Sequence, residues 1–338
     1  MKKILFICGS VNQTSMMHKI SIPLQNKYDC WFSPFYADGF IGSLTKKGYL
    51  NFSILGGKFR EDTEEYLSIN YLKKDYKGLK NNYDLVVTCT DLIVPNNIKN
   101  KKIVLVQEGM TDPKNLFFYT AKYLGLPRYL ASTSTTGLSD LYDYFCVASE
   151  DYKKIFVKNG CNPQKIIVTG IPNFDNCKKF LKNKFPHKDF VLVCTSDSRE
   201  TFKYENRKKF IEKAVKIAKD KLLIFKLHPN EKKDRAIKEI KKYAPGSLVF
   251  TEGNTNEMIA NCNTLITKYS SVVYIGIALG KKVYSDFNIE KLKSLVPLQN
   301  NGTSAFMIAQ YCEHLVEKST EEIYDYQNKV YIIPVPEY

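Results

Sequence analysis

Short apolar runs recur along the chain, separated by longer polar or amphipathic segments. Nearly all of the runs are continuous rather than alternating, which is typical of strands buried on both faces of a parallel sheet. The segments between them have helical patterns, as in residues 149–160, where Ser149 is placed to cap the helix and Gly160 to end it. The alternation predicts two doubly wound α/β domains. The predicted strands cover residues 3–9, 84–90, 102–109, 144–150, 165–172, 190–196, 222–229, 247–253, 264–270 and 281–287.

The chain has 338 residues, a length that suits two domains of roughly 150 residues each. A polar, lysine-rich stretch at 176–189 precedes a fresh strand and marks the boundary. We therefore predict a first domain over 1–183 and a second over 184–318. Residues 319–338 form a predicted helix and tail that pack back on the first domain.

Lys and Arg number 50 against 35 Asp and Glu, a formal charge of +15. Such a charge favours nucleic acid, anionic membrane or anionic small molecules as partners, and no nucleic-acid-binding motif occurs. Nine Cys without metal-binding spacing indicate a reducing compartment and no zinc site. No apolar run reaches the ~18 residues that span a bilayer. We expect a cytoplasmic protein, at most peripheral on the inner face of an anionic membrane.

The segment "KLHPNE" is the first candidate for chemistry. Pro229 cannot continue a central strand, so His228 lies at the carboxyl edge of the predicted sheet, where open α/β sheets bind ligands. His228 could hydrogen-bond a phosphate or protonate a leaving group there, and Lys226 would add charge. The alternative is a histidine that merely ends a strand.

Paired serines follow a later strand, in "ITKYSSVV". The hydroxyls of Ser270 and Ser271, and the free backbone N–H groups at the start of the next helix, would form an anion site that Lys268 strengthens. An ordinary serine cap is the alternative. Thr195 and Ser196 place further hydroxyls after the first strand of the second domain.

In the first half of the chain, Glu108 comes just after a buried strand. A carboxylate there can act as a general base toward an acceptor hydroxyl, and Gly109 allows a sharp turn or a close approach of substrate. A plain turn glutamate is the alternative. Gly9, Ser10 and Gly170 also follow strands and are weaker candidates. Together these residues predict one cleft between two facing domains.

The order "KLHP" and then "KYSSVV", with "TGIPNFD" and "GIALGKKVY", resembles a branch of the GT-B glycosyltransferases. That branch contains the CDP-glycerol glycerophosphotransferases and the bacterial CMP-sugar (sialyl-, polysialyl- and Kdo-) transferases. The resemblance implies two Rossmann-type domains facing across a cleft, the first on the acceptor side and the second binding the nucleotide donor. It also implies that His228, Ser270 and Ser271 hold the donor phosphate, with Lys226, Pro229, Lys268, Thr195, Ser196 and Gly170 around it. Gly9, Ser10 and Gly109 fall on the acceptor side.

The CMP-sugar enzymes carry an acidic-acidic-Gly motif whose carboxylate is the general base. The matching place here reads Gln107-Glu108-Gly109, so only Glu108 can serve, and it would give inversion at an anomeric carbon. No D-x-D motif occurs, so neither metal nor cofactor is expected. The resemblance therefore favours transfer of a sugar or glycerol-phosphate-like group from a CMP- or CDP-linked donor to a surface polysaccharide, such as capsule or lipopolysaccharide, or to a glycolipid.

Two other functions stay open at this stage. One is a UDP-sugar transferase or an enzyme similar to the UDP-GlcNAc 2-epimerases, although the chain has only four His. The other is a non-catalytic protein of the same fold that binds nucleotide or glycan. Nucleic acid is not expected as a partner.

Overall fold

The computed structural model describes residues 1–200 and 204–318. The chain forms two compact units, one of Met1–Asp175 with Asn300–Tyr338 and one of Asn176–Gln299. Each unit is built on a parallel sheet, with helices between most of the successive strands. The predicted fold class, doubly wound α/β in both halves, is therefore confirmed.

The first unit contains a six-stranded sheet. Its strands are β1 (Lys3–Cys8), β2 (Asp29–Pro34), β3 (Leu85–Thr88), β4 (Lys102–Val106), β5 (Tyr144–Val147) and β6 (Ile166–Val168), in the order β2-β1-β3-β4-β5-β6. Its helices before the second unit are α1 (Val11–Ser21), α2 (Gly39–Lys46), α3 (Gly57–Ile69), α4 (Leu116–Leu124) and α5 (Glu150–Asn159). Ser149 caps α5 by accepting a hydrogen bond from Tyr152 N, and Gly160 ends it with a φ of 112°, as expected from the sequence.

The second unit contains a five-stranded sheet. Its strands are β7 (Val191–Cys194), β8 (Leu223–Lys226), β9 (Leu248–Phe250), β10 (Thr264–Ile266) and β11 (Lys282–Tyr284), in the order β11-β10-β7-β8-β9. Its helices are α6 (Arg207–Ala218), α7 (Lys233–Tyr243), α8 (Thr255–Asn261), α9 (Val272–Ala278) and α10 (Ile289–Ser294). One side of the sheet packs on α6 and α7 through a core that includes Val193, Ile211, Phe225 and Ile240.

All ten predicted strands are present, and β2 is the strand that the sequence did not predict. The central strands are buried on both faces, as Leu5 and Phe6 of β1 show, and this burial is why their apolar runs are continuous. In contrast, β2 lies at an edge of the sheet, begins at Asp29 and ends at Pro34. An edge position tolerates proline and polar residues, so β2 has no continuous apolar run.

Each sheet has a point where the chain reverses its direction of winding. In the second unit the chain runs from β7 outward to β8 and β9, then returns to place β10 on the other side of β7. In the first unit β2 and β3 lie on opposite sides of β1 in the same way. Such switch points open a crevice at the carboxyl ends of the strands, where doubly wound sheets bind their ligands.

The last described helix, α11 (Ser304–Glu317), returns to the first unit and packs against α1, β3 and β4. Buried Asp175 holds its start, because the Asp175 carboxylate accepts hydrogen bonds from Asn300 N at 2.6 Å and Ser304 N at 2.9 Å. The units therefore change at 175/176 and 299/300, not at the predicted 183/184 and 318/319. The predicted helix and tail over 319–338 lie outside the described residues.

None of the helices in residues 1–200 and 204–318 combines the length and the apolar character needed to cross a membrane.

We expect Asp175→Ala to destabilise the first unit, because two backbone N–H groups at the start of α11 would lose their charged acceptor. Hydrogen bonds to charged groups contribute about 1.5–3 kcal/mol each, so the loss of two should lower the free energy of unfolding by about 3–6 kcal/mol. Denaturant unfolding measures it. Asp62→Ala, which removes an exposed Lys58–Asp62 pair, is the matched control and should cost under about 0.5 kcal/mol. Equal effects of the two substitutions would contradict the assigned role of Asp175.

Candidate functional site

Three adjacent strands of the second unit bring candidate residues to one edge of the sheet. Thr195 and Ser196 follow β7, His228 follows β8, and the Ser270–Ser271 pair follows β10. Because β7 lies between β8 and β10 in a parallel sheet, these residues share the carboxyl edge at the switch point. The sequence-based prediction of a common edge thus agrees with the topology.

His228 is a half-buried residue whose backbone and ring are both held. Its backbone N–H donates to Thr195 Oγ1 at 3.0 Å, and its ring Nδ1 accepts a hydrogen bond from Asn230 N at 3.3 Å. Because Nδ1 is an acceptor, the neutral ring carries its proton on Nε2. Within the described residues Nε2 has no hydrogen-bond partner, so this N–H is available to a ligand.

Burial lowers the pKa of His228, and the nearby Lys226 lowers it further. The carboxylates of Asp197, 3.7 Å from Nδ1, and Glu200 act in the opposite direction but do not compensate. The ring is therefore neutral at neutral pH, and His228 would hold an anion as a hydrogen-bond donor without a full charge.

A buried charged network lies beneath this edge. Thr195 Oγ1 donates to Glu231 Oε2 at 2.5 Å, while Glu231 Oε1 pairs with the guanidinium of Arg207. Arg207 Nε lies 2.9 Å from Glu205 Oε1, and Glu205 Oε2 accepts from Ser196 Oγ at 3.1 Å. All five residues are less than a tenth exposed.

This network fixes the chain at the ends of β7 and β8. Thr195 Oγ1 accepts a hydrogen bond from the His228 backbone N–H and donates one to Glu231. The position of the His228 backbone therefore depends on the buried carboxylate. Thr195 and Ser196 were predicted to contact the donor, but their hydroxyls donate hydrogen bonds to Glu231 and Glu205, respectively. Sequence reasoning missed Glu205, Arg207 and Glu231; the one available signal was Glu231 three residues after His228.

The two lysines of the predicted site are also engaged. Lys226 is buried, its Nζ donates to the carbonyl oxygens of Leu227 at 3.1 Å and Thr251 at 3.3 Å, and burial lowers its pKa. Lys268 Nζ lies 3.8 Å from Asp286 Oδ2. The ammonium groups of both lysines therefore bind neighbouring protein groups. Pro229 is exposed, and the chain turns out of the sheet there, as predicted.

Ser270 and Ser271 are half-buried at the start of α9. Ser270 Oγ accepts a long hydrogen bond of 3.5 Å from Val272 N. Ser271 occupies the N-cap position, but its side chain makes no capping hydrogen bond. The alternative of an ordinary serine cap therefore does not describe Ser271, and among residues 1–200 and 204–318 its hydroxyl has no hydrogen-bond partner.

In the first unit, Glu108 contacts the start of α1. Glu108 Oε2 accepts from Gln13 Nε2 at 2.6 Å, and Oε1 accepts from Ser10 Oγ at 3.3 Å. Burial raises the pKa of Glu108, and the hydrogen bonds from Gln13, Asn12 and Ser10 offset only part of this rise. Sequence reasoning missed Gln13 and Asn12.

Gly9 permits this arrangement, because a Cβ at that position would lie 1.7 Å from Gln13 Oε1. Ser10 also caps α1, accepting from Gln13 N at 3.3 Å. Of the predicted acceptor-side residues, Ser10 therefore contacts the Glu108 carboxylate, and Gly9 leaves room for the Gln13 amide that also contacts it.

Gln107 occupies the position that is the first acidic residue in the acidic-acidic-Gly motif, and here it has a structural role. Its buried amide donates from Nε2 to Gly109 O at 2.7 Å and accepts at Oε1 from Ala148 N at 2.9 Å. A carboxylate accepts but does not donate, so an acid here could not hold Gly109 in this way. The amide thus fixes the turn that presents Glu108.

Gly170 follows β6 and therefore belongs to the first unit, whereas His228 belongs to the second. Its φ of 75° is the left-handed conformation that favours glycine. Its N–H donates to Val147 O at 3.1 Å. In residues 1–200 and 204–318 no group of His, Cys, Asp and Glu side chains is arranged to hold a metal ion.

The model of the CDP-glycerol:poly(glycerophosphate) glycerophosphotransferase family matches residues 63–275, more than half of the chain. The chain belongs to this family. The match includes Glu108, the Thr195–Glu231 network, His228 and the serine pair, whereas Gly9 and Ser10 lie before it. Family membership establishes the chain as a transferase and confirms the resemblance seen in the sequence.

Solved structures share the fold across nearly the whole glycerophosphotransferase chain. A Neisseria meningitidis UDP-GlcNAc 2-epimerase bound to UDP-GlcNAc is 14% identical, with a TM-score of 0.59 over 92% of this chain and 100% of that one. The Staphylococcus aureus MnaA–UDP co-structure is 14% identical, with a TM-score of 0.56 over 96% and 90%.

A variant of the wall teichoic acid polymerase TagF soaked with CDPG is 12% identical, with a TM-score of 0.52 over 94% and 89%. These identities show the GT-B fold alone. Among curated protein sequences, none matches the chain.

We expect Glu231→Ala to destabilise the second unit by about 3–5 kcal/mol, because it leaves the buried Arg207 guanidinium short of one partner. Urea unfolding, followed with a probe in the second unit, measures the change. Glu252→Ala removes an exposed partner of Lys233 and is the matched control, with an expected cost under about 0.5 kcal/mol. Equal stability of the two variants would contradict the network's role.

Proposed function

We propose that this glycerophosphotransferase moves a glycerol phosphate group from a CDP-linked donor to a hydroxyl of a surface polymer or glycolipid. The observation that carries the proposal is the placement of His228 and the Ser270–Ser271 pair on strand ends that flank β7, at the switch point of the second sheet. All three residues lie within the segment that the family model matches. The fold comparisons alone would not distinguish this donor from a UDP-sugar.

In this proposal the second unit holds the donor's phosphates. His228 Nε2–H and the Ser271 hydroxyl donate hydrogen bonds to phosphate oxygens, and Ser270 adds a third donor. Negative charge develops on the bridging oxygen as the bond to CMP breaks, and fixed donors aimed at this charge stabilise it without reorganisation. Thr195 and Glu231 act as positioning residues, because they hold the His228 backbone and do not face the ligand.

Glu108 takes the role of general base. The acceptor hydroxyl oxygen attacks the phosphorus that carries glycerol, the bond from that phosphorus to the oxygen of CMP breaks, and the hydroxyl proton passes to Glu108. The products are a new phosphodiester and CMP, with the proton on the carboxyl. A raised pKa makes Glu108 a stronger base than an exposed glutamate, while Gln13 and Ser10 stabilise its ionised form.

Donor binding tests the role of the second unit. By calorimetry, CDP-glycerol and CDP should bind the wild-type chain more tightly than UDP and UDP-GlcNAc. His228→Ala and Ser271→Ala should each weaken CDP binding by about 10-fold, the effect of one lost hydrogen bond to a charged group. His187→Ala, a substitution outside the site, is the matched control. Preference for uridine nucleotides would overturn the proposed donor, and unchanged binding in His228→Ala would overturn the role of His228.

The pH dependence of turnover tests Glu108. Only the ionised carboxylate accepts a proton, so activity is present above the raised pKa of Glu108 and is lost as pH falls through it. Ser10→Ala removes one of the hydrogen bonds that lower this pKa, so the acid limb of kcat/KM should move to higher pH. Glu108→Gln should lower kcat by about 10²–10⁴-fold and keep CDP binding.

The same experiment separates a transferase from a non-catalytic binder. A Glu108→Gln variant as active as the wild type would exclude Glu108 as the base. A wild-type chain that binds CDP-glycerol but forms no product with any hydroxyl acceptor would favour the binding protein left open by the sequence.

A further inference from the structure

The side chain of Asn12 contacts the Glu108 carboxylate and is itself held by a residue from a distant part of the chain. Asn12 is one of three residues whose side chains hydrogen-bond to Glu108. Its Oδ1 accepts a hydrogen bond from Asn173 Nδ2 at 2.8 Å, and its backbone oxygen accepts one from the same group at 2.7 Å. Asn173 lies in the loop after β6, 161 residues away along the chain. This loop therefore fixes a side chain that contacts the proposed base.

Asn173 is in turn held by a lysine of α1. Lys19 Nζ donates a hydrogen bond to Asn173 Oδ1 at 2.6 Å. Asn12, Ser15 and Lys19 all lie in α1, and their spacing of three and four residues places them on one face of the helix. Ser15 Oγ accepts a further hydrogen bond from Asn173 Nδ2 at 3.1 Å. The Asn173 side chain thus lies along this face of α1, with Lys19 at one end and Asn12 at the other.

The lysine determines which way both amide side chains face. An asparagine amide has two ends of similar shape, so its orientation is set by its hydrogen-bond partners. An ammonium group donates but cannot accept, so the carbonyl oxygen of Asn173 must face Lys19. The amino group of Asn173 then meets the carbonyl oxygen of Asn12, which leaves the Asn12 amino group for the Glu108 carboxylate.

This direction favours the ionised form of Glu108. A carboxylate is stabilised by the donors that it accepts from, and hydrogen bonds to an ionised group are about twice as strong as those between neutral groups. Consecutive hydrogen bonds that point the same way also polarise one another. If Asn12 were turned around, its carbonyl oxygen would face Glu108 and would favour the protonated carboxyl instead.

Other ionisable groups near Glu108 do not supply a positive charge. Burial raises the pKa of the Cys89 thiol, after β3, and raises that of Cys8, at the end of β1, to about 12, so both are neutral at neutral pH. His18 Nδ1 lies 3.3 Å from the Tyr66 hydroxyl of α3, and burial lowers the pKa of His18. Charged groups on α3 and α5 pair with each other: Arg60 with Glu64, and Lys154 with Asp151. Lys19 is thus a cation that hydrogen bonds connect to Glu108.

We propose that Lys19, Asn173 and Asn12 form a hydrogen-bond relay that prepares Glu108 as the base by turning the Asn12 amino group toward its carboxylate. The three are positioning residues, because they act through Glu108. The proposal deepens the proposed function and rests on it in giving Glu108 the role of base. The orientation of the amides, and its effect on the ionisation of Glu108, require no turnover and are measurable without it.

Asn173→Asp tests the direction of the relay. Aspartate matches asparagine in size but only accepts, so it would still bind Lys19 and would turn the Asn12 amino group away from Glu108. Carbon-13 NMR of the Glu108 carboxyl, identified by its loss in Glu108→Gln, should show a pKa above that of the wild type. Asn100→Asp places the same charge at an exposed position of the first unit and should have little effect. Equal rises in the two variants, or none in Asn173→Asp, would overturn the relay.

A double-mutant cycle separates the relay from simple charge repulsion. Asn12→Ala should by itself raise the pKa of Glu108, because the carboxylate loses a donor. In that background Asn173→Asp should add little, since its effect runs through the Asn12 amide. An undiminished further rise would show that the new carboxylate acts directly on Glu108, and the relay would be wrong.

The lysine is tested by removal and replacement. Lys19→Met deletes the group that sets the direction, so the pKa of Glu108 should rise, and Lys19→Arg, which also only donates, should restore it. Lys99→Met is the matched control, because Lys99 Nζ likewise donates to an asparagine oxygen, Asn96 Oδ1, at 2.6 Å. A Glu108 pKa that is the same in the Lys19→Met variant and in this control would exclude Lys19 from the relay.

The pH profile of kcat/KM connects the relay to turnover. Activity is present above the pKa of Glu108 and is lost as pH falls through it, so Asn12→Ala should move the acid limb to higher pH. On that limb kcat/KM should fall by about 10-fold, the effect of one lost hydrogen bond to a charged group, while the plateau at high pH is kept. A lower plateau with an unmoved limb would show a structural role alone and would overturn the relay.

The two measurements also distinguish failure of the relay from failure of the proposed function. A raised Glu108 pKa by NMR together with an unmoved acid limb would support the relay and exclude Glu108 as the base. A wild-type acid limb that matches the NMR pKa of Glu108, with both unchanged in Asn12→Ala and Asn173→Asp, would support the base and overturn the relay.

Discussion

The buried carboxylate of Glu231 is the constraint on which the second unit's site depends. It accepts the Thr195 hydroxyl and pairs with Arg207, which in turn lies against Glu205. Removing such groups from water is expensive, and this cost is offset only while each partner stays in place. The network therefore joins the ends of β7 and β8 in one geometry, and His228, whose N–H is bound by Thr195, has its position defined by groups that face away from any ligand.

In the first unit, hydrogen bonds rather than a buried charged network hold the candidate residue, Glu108, in position. Glu108 lies in the turn after β4, and the Gln107 side-chain amide stabilises this turn by hydrogen bonds. The Glu108 carboxylate accepts a hydrogen bond from Gln13, near the start of α1. Gly9 is needed there because any larger residue would occupy the space of the Gln13 amide. The missing acid before Glu108, a departure from the CMP-sugar transferases, thus has a physical reason in this chain.

Much of the fold was predictable because burial on both faces produces continuous apolar runs, and ten strands were found from that pattern. The edge strand β2, with Asp29 and Pro34, lacks the pattern and was missed. The return of α11 to the first unit was also missed, because the hydrogen bonds of Asp175 to Asn300 and Ser304 join residues far apart in sequence. His228 and the serines were found because strand ends are visible in a sequence. Glu231 and Arg207 were not, since in "NEKK" and "NRKK" they look like surface charges.

We propose that the network presents a neutral His228, with its proton on Nε2, to the donor's phosphate. Nitrogen-15 NMR of the imidazole rings tests it most directly, because the chain has only four His and His228→Ala identifies the signal. At neutral pH we expect a neutral ring protonated on Nε2, whose Nε2 signal moves when CDP-glycerol is added. Thr195→Val should abolish this response. A ring protonated on Nδ1, or a His228 signal indifferent to CDP-glycerol, would contradict it.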